Sequence, residues 1–110
     1  MKVAVSTDGN QVSAHFGRCP LFTIAEGGDG REIRKSVINN PGHHPGFLPE
    51  FLKKQGVEVI IAGGMGRRAQ DLFSDAGIRV IVGAPEAEPH ELAEAFLAGR
   101  LQTGDNICDH

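Results

Sequence analysis

The chain has 110 residues, a length typical of one domain. It is 40% hydrophobic and 23% charged, a globular balance that argues against wholesale disorder. The net charge of −3 argues against a general nucleic-acid binder, which needs a basic surface. No apolar run approaches the ~20 residues of a membrane span, and the apolar N-terminus is too short for a signal peptide. Two cysteines without an export signal indicate a reducing cytoplasm, where thiols serve as ligands or nucleophiles more readily than as disulfides.

The first part of the chain is predicted to form three strands. Residues 3–6 are a short apolar run that leads into the turn signal Asp8-Gly9. Residues 21–25 are rich in β-forming side chains, and residues 32–38 fit an edge strand with exposed charges. Because only a glycine-rich turn separates these two segments, we expect them to form an antiparallel hairpin.

The remaining part of the chain alternates between helix and strand. Apolar residues recur at helical spacing in three segments, and each segment is followed by a glycine that stops the helix. The predicted elements are a helix from residue 47 to Gly56, a strand at residues 57–62, a helix between Gly66 and Gly77, a strand at residues 78–82 and a helix from Pro89 to Gly99.

This order of elements predicts an α/β fold. Strands and helices in alternation imply right-handed crossovers between parallel strands, and the hairpin adds antiparallel strands at one side. The simplest arrangement is a five-stranded mixed sheet of order 3-2-1-4-5, numbered along the chain, with helices on both faces. It corresponds to a three-layer ribonuclease-H-like sandwich. Residues 1–100 are predicted to form the domain, and residues 101–110 a C-terminal tail without periodicity.

The predicted topology brings four loops to one end of the sheet. The chain leaves the first and fourth strands in opposite directions, which creates a topological switch point. Ligands bind in the crevice at such a point. The residues expected at this end are His15, Arg18, Cys19, His43, His44, Gly64, Met65, Gly66, Arg67 and Arg68.

The chemistry at this end of the sheet favours a soft metal. Thiolate, imidazole and thioether groups prefer zinc, copper(I) or iron–sulfur species over magnesium or calcium. Gly64-Met65-Gly66 precedes a helix, so free backbone N–H groups beside the positive end of the helix dipole favour an anion. Together these features predict an anionic metal–sulfur cluster rather than a bare dication.

Each of these residues also has a simpler structural interpretation. A small buried hydrophobe is the commoner fate of a lone cysteine such as Cys19, and core packing is the commoner role of a methionine such as Met65. His15 would cap a turn, and His43-His44 would lie in a solvated polar loop. The convergence of these residues at one end of the sheet is what favours a site.

Several segments resemble the dinitrogenase iron–molybdenum cofactor-binding family. They are residues 1–9, residues 12–22 with His-Phe-Gly-Arg-Cys, Asn40-Pro41 with His43-His44, and residues 62–66. The resemblance implies the ribonuclease-H-like fold and a cytoplasmic, non-enzymatic carrier of an iron–sulfur or iron–molybdenum–sulfur cluster or its precursor, in a role related to nitrogen fixation. Implied partners are cluster donor and acceptor proteins, with no nucleic acid and no membrane, and we expect a monomer or weak dimer.

The resemblance also implies a set of ligands. His15 matches the most specific motif of the family, with Cys19 beside it, and His43 and His44 match the loop after the third strand. Cys108 and His110 look like the Cys-x-His end of stand-alone members. An extended tail of about 33–39 Å is long enough to return to the site, and the role of both residues depends on that return.

Two other functions stay open from the sequence. One is a mononuclear zinc or copper(I) site, or a regulatory module without metal. The other is a ribonuclease-H-like nuclease, which needs clustered carboxylates to hold two divalent ions. Asp8 ends the first strand suitably, but the fourth strand ends in Ala62-Gly63-Gly64 without an acidic residue.

Overall fold

A computed structural model describes residues 1–9, 11–13, 19–28, 31–40, 47–85, 87–99 and 101. The strands in these ranges are β1 Lys2–Asp8, β2 Gln11–Val12, β3 Leu21–Gly28, β4 Arg31–Asn39, β5 Val59–Ile61 and β6 Arg79–Ile81. The helices in the same ranges are α1 Phe47–Lys54, α2 Arg67–Asp75 and α3 Pro89–Leu97.

The strands form one mixed sheet with β1 near its centre. The order is β4-β3-β1-β5-β6, and β2 pairs with β1 off this path. β1 runs antiparallel to β3 and parallel to β5, while β3 and β4 form the expected antiparallel hairpin. The mixed α/β architecture is therefore confirmed.

The prediction of five strands is wrong, because the sheet already has six strands within the described ranges. The additional strand, β2, has two residues and places Val12 opposite Thr7 of β1. A period-two pattern needs about four residues to be recognised, so no local signal marks this strand.

Alternating side chains of the sheet supply a core on each face. Ala4 faces the core beneath α1 and α2, whereas Val3 and Val5 face the core beneath α3. β5 is buried at every position because it lies between β1 and β6 and is covered on both sides. The prediction of helices on both faces is thereby confirmed.

The end of α2 shows how sequence sets an element boundary. Gly77 has a φ of +82°, and its N–H donates to the Ser74 carbonyl at 3.0 Å. The Ile78 N–H donates to the Phe73 carbonyl at 2.9 Å, and both side chains are buried in the same core. This is a Schellman motif, in which glycine adopts the left-handed conformation without a steric penalty. None of the helices in the described ranges is long and apolar enough to cross a bilayer.

Candidate functional site

Four chain segments meet at one end of the sheet, which we call the site end. Thr7 near the end of β1 pairs with Leu21 at the start of β3, and Leu21 pairs with Asn39 at the end of β4. β5 ends beside β1, with Ile61 opposite Val5. The site end therefore collects the segments that follow β1, β4 and β5 and the segment that precedes β3.

Hydrogen bonds between loops hold the site end together. The Gly63 N–H donates to the Ser13 carbonyl at 3.2 Å, which joins the residue after β2 to the segment after β5. The Asn40 side-chain amide donates to the Cys19 carbonyl at 2.7 Å, and its backbone N–H donates to the Pro20 carbonyl at 2.9 Å. Ser13, Cys19 and Asn40 flank the two segments that carry the predicted histidines, so these flanks are fixed at the same end of the sheet.

Most of the predicted ligands fall outside the described ranges. These residues are His15, Arg18, His43, His44, Cys108 and His110. Their roles stay predictions, as does the division between domain and tail. Cys19, Gly64, Met65 and Gly66 are described, and all of them except Gly66 are buried.

The Cys19 thiol lies inside the protein rather than on its surface. Its side chain is fully buried, and this loss of solvation raises the pKa of the thiol to about 12. Hydrogen bonds from the Asn40 amide, 3.8 Å from Sγ, and from backbone N–H groups oppose the rise only in part. The thiol is therefore protonated at neutral pH, whereas a metal ligand must be a thiolate. Cys19 in this conformation fits the small-hydrophobe interpretation, and ligation would require its exposure and deprotonation.

Met65 is also a core residue. Its side chain is fully buried in the cluster beneath α1 and α2, and its carbonyl accepts a hydrogen bond from the Gln70 amide at 2.9 Å. This matches the core-packing interpretation and presents no exposed thioether to a ligand.

The start of α2 gives the site end a positive character. Gly66 is the exposed N-cap residue of α2 and has no side chain to accept hydrogen bonds from the helix. The first backbone N–H groups of α2 therefore have no side-chain acceptor, and they carry the partial positive charge of the helix start. The first turn holds no acidic residue, and Arg67 and Arg68 are both exposed. A helix start with two guanidinium groups suits an anion.

A preformed cation site is absent from the described part of the chain. No group of three or more His, Cys, Asp or Glu side chains in these ranges is placed to hold a metal ion. The described residues therefore give no support to a two-metal nuclease, which depends on such a group.

Sequence reasoning missed the role of Asn40. This residue follows β4 and bonds to both Cys19 and Pro20, so it joins the end of β4 to the segment before β3. The available signal was its position directly before Pro41, because a residue before proline favours extended backbone. That signal indicates a loop but not its bonding partner.

Comparison with known proteins identifies the family. Residues 1–99 match the model of the family described as "Dinitrogenase iron-molybdenum cofactor", so the chain belongs to this family.

Individual relatives are similar to this chain in sequence and in fold. The uncharacterized protein MJ0580 of Methanocaldococcus jannaschii is 34% identical over an alignment of 107 residues, and the match covers 93% of this chain and 90% of that protein. The crystal structure of PH0822 is 30% identical, with a TM-score of 0.84 and coverage of 97% of this chain and 99% of that one. The NMR structure of TM1290 from Thermotoga, provisionally named a NifB protein, is 28% identical, with a TM-score of 0.70 and coverage of 93% and 91%.

Proposed function

We propose that this protein is a non-enzymatic cytoplasmic carrier of an iron–sulfur or iron–molybdenum–sulfur cluster or its precursor. The cluster is its cargo, received from a donor protein and passed to an acceptor protein. Membership of a family named for the dinitrogenase iron–molybdenum cofactor supports a cofactor-related role. The provisional NifB name of TM1290 supports the same link to nitrogen fixation.

The observation that carries the proposal is the electrostatic character of the site end. Clusters of iron and sulfide are anionic, and the uncapped start of α2 with exposed Arg67 and Arg68 attracts negative charge. Gly64 and Gly66 lie in the chain just before this helix. Gly64 is buried, whereas Gly66 is exposed and has nothing within 4 Å of an added Cβ, so the backbone at Gly66 is open to a bulky guest.

The proposed ligands are imidazoles. His15, His43 and His44 follow residues that hydrogen bonds fix at the site end, and imidazole is a suitable ligand for iron. Arg18 is proposed to contact the cargo, and Cys108 and His110 to add ligands when the tail reaches the site end. The Cys19 thiol would join them only in an opened conformation, because its pKa of about 12 keeps it protonated. We further propose that the fold belongs to the ribonuclease-H-like class and that the protein is a monomer or weak dimer.

Anaerobic reconstitution with iron and sulfide, with and without molybdate, tests the proposal. The chain has no Trp and no Tyr, so the apoprotein absorbs little near 280 nm and cluster absorption is easily measured. We expect visible bands and labile sulfide bound to the protein. His15→Ala should lower cluster retention, whereas His90→Ala on α3 serves as the matched control.

A second pair of variants tests the electrostatic argument. Arg67→Gln with Arg68→Gln removes two positive charges from the start of α2, and Lys53→Gln with Lys54→Gln removes the same charge from the end of α1. Only the arginine pair should weaken retention. A colourless protein after reconstitution would contradict the proposal, and one zinc per chain without sulfide would favour the mononuclear alternative.

A further inference from the structure

A cavity of about 390 Å³ opens on the α3 face of the sheet, and its described lining contains none of the proposed cargo ligands. Thr23 lines this cavity and lies between Phe22 and Ile24, whose side chains face the opposite core, so the cavity and Cys19 are on different faces. The sheet supplies the floor of the cavity and the start of α3 supplies a wall. Its volume is within the range of small-molecule sites.

The floor of the cavity carries two buried hydroxyl groups. Thr7 and Thr23 are each 3% exposed, and their Oγ1 atoms are 2.7 Å apart. The Thr7 hydroxyl donates its proton to the Val5 carbonyl at 2.8 Å, so the Thr23 hydroxyl must donate to Thr7. Both hydroxyl protons are then engaged in hydrogen bonds, and the lone pairs of the Thr23 oxygen remain to accept one. The floor therefore presents hydrogen-bond acceptors.

The wall of the cavity also offers a hydrogen-bond acceptor. Glu88 contributes a carboxylate, and His90 places Nδ1 at 3.6 Å from its Oε1 atom. In the neutral imidazole one of the two ring nitrogens is an acceptor, and the contact of 3.6 Å is too long for a hydrogen bond that would select which one. The Nε2 atom of His90 is buried and has no hydrogen-bond partner among the described residues. A carboxylate and a hydroxyl group thus line one cavity as acceptors, with the His90 imidazole beside them.

We propose that this cavity binds a small organic cation rich in N–H donors, an alkylammonium or alkylguanidinium group. Its N–H groups match the acceptors of Thr23 and Glu88, and the carboxylate supplies the opposite charge. Its hydrocarbon part fits against Leu21 and Val37, and Val37 is 52% exposed without a guest. The Glu88 carboxylate at the N-cap of α3 opposes the positive end of that helix, so the lining favours a cation over a carboxylate or a phosphate, unlike the anionic cargo.

Three probes with the same four-carbon body test the proposal on the apoprotein by NMR titration. We expect n-butylammonium to bind with a Kd on the order of millimolar, as suits a ligand of very few atoms. n-Butanol should bind about tenfold more weakly, and butyrate should not bind. Nα-acetyl-lysine methylamide distinguishes two sources of the cation. Binding as tight as n-butylammonium supports a lysine side chain of a polypeptide, and exclusion supports a free amine.

Variants locate the binding. Thr23→Val should weaken n-butylammonium about fivefold through loss of one acceptor, and Glu88→Gln about threefold, since exposure screens its charge. Ser74→Ala on the exposed side of α2 is the control and should have no effect. If Thr23→Val does not fold, Glu88→Gln still tests the proposal. The Glu88 side chain is 57% exposed, so its replacement should leave the fold intact. Equal binding of the three probes, no binding, or unchanged affinity in Glu88→Gln would overturn the proposal. Since no cluster is present, such a failure would leave the carrier function untouched.

Discussion

The buried thiol of Cys19 should resist alkylation in the folded protein by about three orders of magnitude. Burial raises its pKa from 9.0 to about 12, and only the thiolate reacts. Near pH 8 the thiolate fraction is therefore about 10⁻⁴ in the folded protein and about 10⁻¹ in the unfolded chain. This ratio of about a thousand comes from the pKa alone, and the steric protection of a fully buried side chain would add to it.

The assay uses a Cys108→Ser background, so that Cys19 is the remaining cysteine. Iodoacetamide labelling near pH 8 is followed by mass spectrometry under native conditions and in concentrated guanidinium chloride. A native rate within about tenfold of the unfolded rate would refute the buried, neutral thiol. It would also restore Cys19 as an accessible metal ligand.

The same shift in pKa makes stability depend on pH. The folded state favours the protonated thiol, so this contribution is fully present below pH 9.0 and is lost as the pH rises towards about 12. In that window the free energy of unfolding should fall by up to ~1.4 kcal/mol per pH unit. Urea unfolding across the window should show a shallower decline for Cys19→Ala. Equal slopes for both proteins would contradict the assignment.

Three further predictions concern packing, backbone conformation and surface charge. Phe73→Ala should lower the free energy of unfolding by about 3–5 kcal/mol because Phe73 is fully buried, and Phe47→Ala, at a 39% exposed position, should cost clearly less in the same urea titration. Gly77→Ala should cost about 1 kcal/mol because φ is +82°, although the space around an added Cβ is open; no loss would refute the conformational argument. Lys35→Met or Glu94→Gln should change stability by less than about 1 kcal/mol, since both side chains of this ion pair are more than one-third exposed; a larger loss in thermal unfolding would contradict that expectation.

Local signals in the sequence predicted most of the elements. The hairpin followed from two β-rich segments around a glycine-rich turn, and each helix ends just before the glycine that was expected to stop it. Continuous β-branched residues predicted the buried strand β5. These features are recognisable because the physical cause lies within a few neighbouring residues.

The environment of the site residues could not be predicted in the same way. Cys19 and Met65 combine soft ligand chemistry with a hydrophobic character that suits a core, and the sequence does not separate these fates. The register of β1 and β3 decides the contact between Thr7 and Thr23, which lie 16 residues apart. The partners of Asn40 likewise depend on the pairing of β3 with β4. Such contacts arise from the assembled sheet.

The nine-residue strand β4 ends the sheet on one side, and this position has a consequence for association between copies. Backbone groups at such a border can accept a strand from another molecule and start a growing ribbon of intermolecular sheet. Arg34 and Lys35 are both exposed and project to opposite faces, and Lys35 is paired with Glu94 of α3, so Arg34 supplies the uncompensated cation beside any added strand. Two copies approaching through this border would bring their Arg34 side chains into the region where strands would pair, and this charge opposes the addition of a strand.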